Sequence, residues 1–259
     1  MHIIVNGWFW NQLATGSGQY LHALVDHLPQ FAPQHRYTLL LPDTLAPIPA
    51  TRRGGVPASA AYQFTDPPSG RFPPSWQLHF ATTPFDRLGE NLAKLWFEQM
   101  SLPLACRRLG ADVALTPYWG SPAWRACRTA VTVHDLIPLL LPAYHGRLRQ
   151  RLYTRLVRWT ARRAHIVLTD SQASRQDIVD HLRIPAARVH AVLLAADERF
   201  HRVTDAAELQ RVRQRYGLPE RFVLYLGGFD VRKNVPRLVQ AYARWARQEA
   251  ATAPNAAVA

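Results

Sequence analysis

Short runs of apolar and β-branched residues alternate along this chain with longer segments whose apolar positions recur at helical spacing. That alternation restricts the fold more than any other feature. Several runs are apolar throughout, so both faces of such a strand must be covered, and the arrangement that does this is a parallel sheet wrapped by helices. The expected fold class is therefore α/β. Strands are expected at Ile3 to Val5, Tyr37 to Leu41, Tyr62 to Phe64, Trp76 to Phe80, Val113 to Thr116, Ala130 to Val133, Ile166 to Thr169, Val189 to Leu193 and Phe222 to Leu226. Helices are expected at Gln19 to Phe31, Glu90 to Leu109, Arg147 to His165, Ser171 to Leu182, Ala206 to Tyr216 and Val235 to Gln248.

Residues Pro42 to Pro74 are rich in Pro, Ala, Ser and Gly and read as a long surface excursion. A second break near Ala195 to Thr204 marks a domain boundary, giving an N-terminal Rossmann-like domain over 1–197 and a smaller one over 198–259. The second part offers only one strand between helices, too little to bury both faces of that strand, so an incomplete domain is expected.

Composition narrows the partners. The 31 Lys+Arg residues outnumber the 18 Asp+Glu, for a net charge of +13, and only Lys94 and Lys233 are lysines. Such an excess favours phosphates, nucleic acid or an acidic membrane surface without choosing among them. The two cysteines, Cys106 and Cys127, make neither a disulfide framework nor a zinc motif and read as buried thiols. The chain opens directly on a strand with no signal-peptide pattern, and its longest apolar stretch, Leu136 to Pro142, is too short to span a bilayer. A cytoplasmic protein is expected.

Three turns have the residues for chemistry. Thr15-Gly16-Ser17-Gly18-Gln19-Tyr20 follows the first strand and leads into a helix; small residues there let backbone N–H groups and the helix N-terminus approach an anion. Its plainer reading is a tight βα turn. Val133-His134-Asp135 ends a buried strand, where side chains of an open α/β sheet meet substrate, the alternative being a loop-anchoring hydrogen bond. Gly227-Gly228 through Arg232-Lys233-Asn234 repeats the strand, glycine turn and helix order with two cations, a fork and a point charge suited to a diphosphate or simply a solvated basic turn.

These motifs, with Leu95-Trp96-Phe97-Glu98-Gln99, Leu102-Pro103, Gly110-Ala111-Asp112-Val113, Leu136-Ile137-Pro138 and Thr169 to Ile178, occur in an order that resembles the retaining GT-B-fold glycosyltransferases of family 4. The resemblance runs to about Trp245. It implies a GT-B architecture and transfer of a sugar from a nucleotide-diphosphate-sugar to a glycan or lipid-linked acceptor, with retention and without a metal or resident cofactor. By that resemblance Gly16, Ser17 and Gly18, with Gly228, Arg232 and Lys233, would hold the donor diphosphate. His134 would sit at the floor of an interdomain cleft near the transferred sugar, and Asp135 would orient the loop or the acceptor.

Departures from the family pattern are informative too. The family's donor domain continues beyond the length present here, so the chain is expected to be truncated and incomplete for catalysis alone. Its two-glutamate motif should follow the Arg-Lys turn, yet no glutamate follows Glu249. Glu90 and Glu98 have that spacing but lie upstream, and they read as two exposed helix positions. Leu194-Ala195-Ala196-Asp197 stands where the family commonly has an Asn-Gly turn.

Arg147, Arg151, Arg155, Arg158 and Arg162 recur at i, i+3/i+4 beside the stripe Leu148, Leu152, Leu156 and Trp159. This basic amphipathic helix points to an anionic membrane face or a lipid-linked acceptor, or else to a packed helix with a solvated arginine face. Trp8-Phe9-Trp10 and Tyr118-Trp119 are candidates for stacking on sugars, with core packing as the alternative. A non-catalytic module binding an anionic glycan or lipid is the second reading of the chain. Nucleic-acid binding ranks last, since the basic residues are dispersed and no helix-turn-helix, zinc or RNP-like motif is present.

Overall fold

The computed structural model describes residues 1–46, 75–197 and 199–252. The chain forms two compact units, Met1–Ala195 and Ala196–Ala259. The first opens with β1 (His2–Asn6), α1 (Gly16–Phe31), β2 (Arg36–Pro42), β3 (Trp76–Ala81), α2 (Glu90–Trp96), α3 (Leu102–Arg108) and β4 (Val113–Thr116). There follow β5 (Arg128–Thr132), the short α4 (Ile137–Leu140), α5 (Leu148–Arg163), β6 (Ile166–Thr169), α6 (Gln172–Leu182) and β7 (Val189–Ala191). The strands form one seven-stranded sheet in the order β3-β2-β1-β4-β5-β6-β7, every neighbouring pair parallel. The α/β reading is the observed architecture.

The central strands are covered on both faces, which is why β2 runs apolar from Leu39 to Leu41. Val5, Leu39 and Leu41 face Leu21 and Val25 of α1. Their chain neighbours Ile4 and Leu40 face Phe97, Leu102 and Ala105 on the opposite side, as the two-residue period of a strand requires. Leu39, Leu40 and Leu41 are all 0% exposed, each contributing roughly 1.5–3 kcal/mol relative to an exposed side chain. On β5 to β7, Val131, Val133, Val167 and Val189 pack with Ala161 and Ala164 from the C-terminal end of α5 and Ile178 and Leu182 of α6.

The long helix expected over Glu90 to Leu109 is interrupted. Phe97–Ser101 forms a π turn between α2 and α3. Pro103 has no N–H to give to the carbonyl four residues back, and the Leu102 N–H bonds to Phe97 O, one residue further than in an α-helix. This wider turn faces Phe97, Glu98 and Ser101 inward, all buried. Helix α1 starts earlier than expected, so the glycines lie inside its first turn. The expected strand Tyr62 to Phe64 lies outside the described residues, as does most of the excursion from Pro42 to Pro74.

In the second unit, α7 (Ala206–Tyr216) is capped by Asp205, whose carboxylate accepts the Ala207 N–H at 2.9 Å. It ends on Gly217 in the left-handed region (φ 57°). Phe222 to Leu226 is not paired as a strand. A strand exists through bonds to a neighbour, and the described residues of this unit supply no other. A 3-10 turn, Val231–Lys233, leads into α8 (Val235–Thr252). No helix among the described residues is long and apolar enough to cross a membrane.

Candidate active site at the carboxyl edge of the sheet

Because every strand is parallel, all carboxyl ends meet along one edge, and the strand order reverses between β1 and β4. Open α/β sheets bind ligands outside that reversal point. The loops leaving β1, β4, β5 and β6 surround it.

His134 follows β5 by two residues and is engaged on every side. Its Nδ1 lies 2.7 Å from Asp170 Oδ2 and its Nε2 lies 3.2 Å from Pro117 O, at the end of β4. Both partners are acceptors, so the ring satisfies them together only when both nitrogens carry protons. The Ser174 hydroxyl donates to His134 O at 3.1 Å, tying the same residue to the first turn of α6. The side chains of His134 and Asp170 remain 26% and 21% exposed, which leaves the pair reachable from solvent. Asp135, the next residue in the chain, bonds within its own loop. It is exposed, and its Oδ1 accepts the Ile137 N–H at 3.0 Å, closing a turn just ahead of α4. The carboxylate that orients the histidine is Asp170.

Helix α1 reaches the same place. Tyr20 sets its ring edge-on to His134, 5.0 Å between centroids, one turn into the helix. Burial pushes the Tyr20 hydroxyl up, with the side chain of Thr132 opposing that shift. At the start of α1, Thr15 accepts the Gly18 N–H at 3.1 Å. Helix geometry leaves the Gly16 and Ser17 N–H groups without intrahelical acceptors, and no acidic residue lies in the first turn. The two glycines are not equivalent. A Cβ on Gly16 would meet nothing within 4 Å, whereas one on Gly18 would sit 2.2 Å from Gln12 O. Gly18 serves the packing of the 9–12 turn against α1; Gly16 lies exposed and open to an approaching anion.

A second polar cluster lies at this edge and was missed in the sequence. Glu98, expected on an exposed face, is 0% exposed. Lys94 Nζ lies 2.7 Å from Glu98 Oε1, and Tyr153 OH donates to both carboxylate oxygens at 3.0 and 3.1 Å. The ammonium also stands over the rings of Tyr153, Tyr118 and Phe9 at 4.6, 4.9 and 5.6 Å, an arrangement of cation–π type. Burial pushes the Glu98 carboxyl up despite Lys94, and burial with the Glu98 charge pushes Tyr118 and Tyr153 up. Gly120 leaves no room for a side chain, since its Cβ would lie 2.6 Å from Glu98 Oε1. Of the aromatic candidates, Trp10 and Tyr118 are core residues, Trp10 stacked on His22 at 3.8 Å. Trp8, Phe9 and Trp119 are half-buried.

The arginines of α5 divide into two groups. Arg158 donates to His181 O at 3.1 Å and Arg162 to Leu182 O at 2.5 Å, so both cap the C-terminus of α6, where cations offset the helix dipole. Arg147, Arg151 and Arg155 are exposed. On the same helix Leu148, Leu152 and Trp159 show 72%, 54% and 47% of their surface to solvent.

In the second unit, Asp230 caps its own turn by accepting the Arg232 N–H at 3.1 Å, and Arg232 Nε lies 3.4 Å from the same oxygen. Part of the Arg232 charge is thereby answered within the turn. The Lys233 N–H bonds to Asp230 O at 2.9 Å, while its ammonium is exposed, with no hydrogen-bond or ion-pair partner among the described residues. Nothing lies within 4 Å of a Cβ placed on Gly228.

The family profile described as Glycosyltransferase Family 4 matches residues 14–199. Among curated relatives, the serotype-specific mannosyltransferase WbdA of Escherichia coli is 32% identical over 119 residues, 44% of this chain and 14% of that protein. The O-antigen chain mannosyltransferase B of Escherichia coli is 32% identical over 116 residues, 44% of this chain and 30% of that protein. Among solved structures, Anabaena Alr3699/HepE in complex with UDP and glucose matches with a TM-score of 0.47 and 15% identity, over 83% of this chain and 50% of that one. The matches thus span half or less of each relative's length.

Proposed function

The chain belongs to Glycosyltransferase Family 4, and from that premise we propose that it serves the transfer of a sugar from a nucleotide-diphosphate-sugar to a glycan or lipid-linked acceptor. One observation supports this reading above the others: the first turn of α1 and the half-exposed His134–Asp170 pair converge on the carboxyl edge through Tyr20. As the donor's glycosidic bond breaks, negative charge collects on the nucleoside diphosphate. The Gly16 and Ser17 N–H groups, at the positive end of α1, supply fixed dipoles for it. His134, held by acceptors on both nitrogens, presents a polarised ring beside the sugar. Transfer is assigned retention of configuration and charge stabilisation by N–H dipoles and cations in place of a metal. In the second unit Gly228, Arg232 and Lys233 are assigned to phosphate binding, Lys233 carrying the larger share because Asp230 holds Arg232. Mannose, named in two of the relatives, is the first sugar to try.

The exposed part of α5 favours a partner as well. Leu148, Leu152 and Trp159 among Arg147, Arg151 and Arg155 present an apolar stripe flanked by cations, the pattern of a helix lying on an anionic lipid surface. On this reading the work is assigned to the cytoplasmic face of a membrane.

Calorimetric titration of the chain with UDP-, GDP- and ADP-linked sugars at low salt tests the donor assignment. Saturable binding to one nucleotide is expected. It should weaken by about 1–3 kcal/mol in Lys233→Ala, and a folded protein that binds none of them refutes the assignment.

A further inference from the structure

β3 lies at one end of the sheet, and a cleft runs between its carboxyl half and α3. Phe80 packs toward the α1 side, so its neighbours His79 and Ala81 turn to the other face. The register agrees: His79 lies opposite Leu40, which packs on Phe97 and Leu102. From the helix side, Ser101, Ala105 and Arg108 recur at the four- and three-residue spacing of a single face. Trp96 adds its ring, set across Phe85 at 5.6 Å between centroids. Ala81 and Ala105 are too small to fill the space between strand and helix, and about 180 Å³ stays open.

The polar groups of this cleft are uncommitted. Ser101 is 8% exposed, yet its hydroxyl has no hydrogen-bond partner among the described residues, and neither has the His79 ring or the Trp96 indole N–H. The Arg108 guanidinium is exposed and has no ion-pair partner among the described residues. No acidic residue lines the cleft. An indole N–H and a guanidinium can only donate, so the complementary ligand brings acceptors and a negative charge. The planar guanidinium matches a carboxylate through two parallel bonds. Size narrows the choice further. A cavity of about 150 Å³ holds a six-membered ring such as benzene, so this one admits one such ring, with Trp96 as an amphipathic wall beside it.

We propose that the cleft is a secondary glycan subsite that holds one acidic sugar unit, a six-membered ring bearing a carboxylate, of the acceptor chain. The inference rests on the glycan-acceptor reading above. Arg108 takes the carboxylate, Trp96 the ring face, and Ser101 and His79 the ring hydroxyls. β3 stands two strand spacings from β1, about 10 Å. A unit held here is therefore removed from the bond being made, and the subsite retains the chain without reacting with it.

Ligand-observed NMR titration of the folded chain with D-glucuronate, D-glucose and a tetrasaccharide alternating glucuronate with a neutral sugar tests this. Saturable glucuronate binding is expected, about tenfold or more tighter than that of glucose, with the tetrasaccharide bound at least as well as the single sugar. Arg108→Ala removes an exposed side chain, so the fold should persist while glucuronate affinity falls about tenfold or more. Trp96→Ala, where it folds, should weaken glucuronate and tetrasaccharide alike. UDP-, GDP- and ADP-linked sugars should not displace glucuronate, and their own binding should be unchanged in Arg108→Ala. Equal affinity for glucose and glucuronate, exclusion of the tetrasaccharide, an affinity unmoved by Arg108→Ala, or displacement by a nucleotide-sugar would overturn the proposal. A chain that binds a nucleotide-sugar and no glucuronate loses the subsite and keeps its donor site; one that binds glucuronate alone keeps the subsite and loses the donor assignment.

Discussion

Two close polar pairs lie at the carboxyl edge of the sheet with the same separation, 2.7 Å, and opposite surroundings. Lys94–Glu98 is 17% and 0% exposed, enclosed by aromatic rings and a tyrosine hydroxyl. His134–Asp170 is 26% and 21% exposed and open on one side. The distance says nothing about the role; burial does. A charge that has left water must keep its partner, so the first pair fixes how α2, the π turn and α5 meet. The second is weakly worth its contacts and free to be used on a ligand.

Breaking the buried pair should have the largest effect on stability. Glu98→Ala strands Lys94 among rings and removes the acceptor of Tyr153, and a loss of about 3 kcal/mol is expected in urea unfolding. A change below about 1 kcal/mol would make the two pairs equivalent and dissolve the contrast. Next come the glycines of α1. Gly18→Ala should lose about 1–3 kcal/mol because its Cβ meets a backbone oxygen. Gly16→Ala should hold or gain up to about 1 kcal/mol by helix propensity while weakening donor binding in the calorimeter. Equal stability losses at both positions would remove the distinction between packing and approach.

His134→Ala sharpens the comparison from the other side. Its stability should change by less than about 1 kcal/mol, while transfer, measured as sugar incorporated into an acceptor, should fall more than donor affinity does. Equal falls would return His134 to a structural role.

The smallest effect is a pH slope. Burial holds the His2 and His22 rings below their ordinary 6.5. The Nε2 of His22 bonds to Trp10 O at 2.8 Å, while its buried Nδ1 has no partner. Above pH 6.5 both rings are neutral whether folded or unfolded and add no slope. As pH falls through 6.5 the unfolded chain takes up protons that the native chain refuses, so stability declines. The melting temperature should drop between pH 7.5 and 5.5, and the slope should be shallower in His22→Gln. An unchanged slope would count against the burial account.

Much of the first unit was legible in the sequence, because strands covered on both faces announce themselves as apolar runs. Val113 to Thr116 and Ile166 to Thr169 were read to the residue. The partner of His134 was not read, yet a signal existed. β5 and β6 pair with a constant offset, Thr132 opposite Leu168, and continuing that register by two places sets His134 opposite Asp170. Finding it required knowing that the two strands are neighbours. Glu98 had no such signal, since a glutamate at helical spacing reads as solvated. Only Pro103 hinted at the turn that faces it inward.

Where residues speak for themselves, the sequence was sufficient: apolar periodicity, glycine and proline punctuation and side-chain caps act over a few positions, and they determined the α/β class and most element bounds. The tertiary structure decided everything that rests on proximity between distant positions. It set Asp170 against His134, separated Gly16 from Gly18, buried Glu98 with Lys94, and turned Arg158 and Arg162 onto α6. It also left Phe222 to Leu226 unpaired, for the same reason. A strand or an ion pair is stabilised by a partner, and which residues become partners follows from strand order and register, quantities that no single stretch of sequence contains.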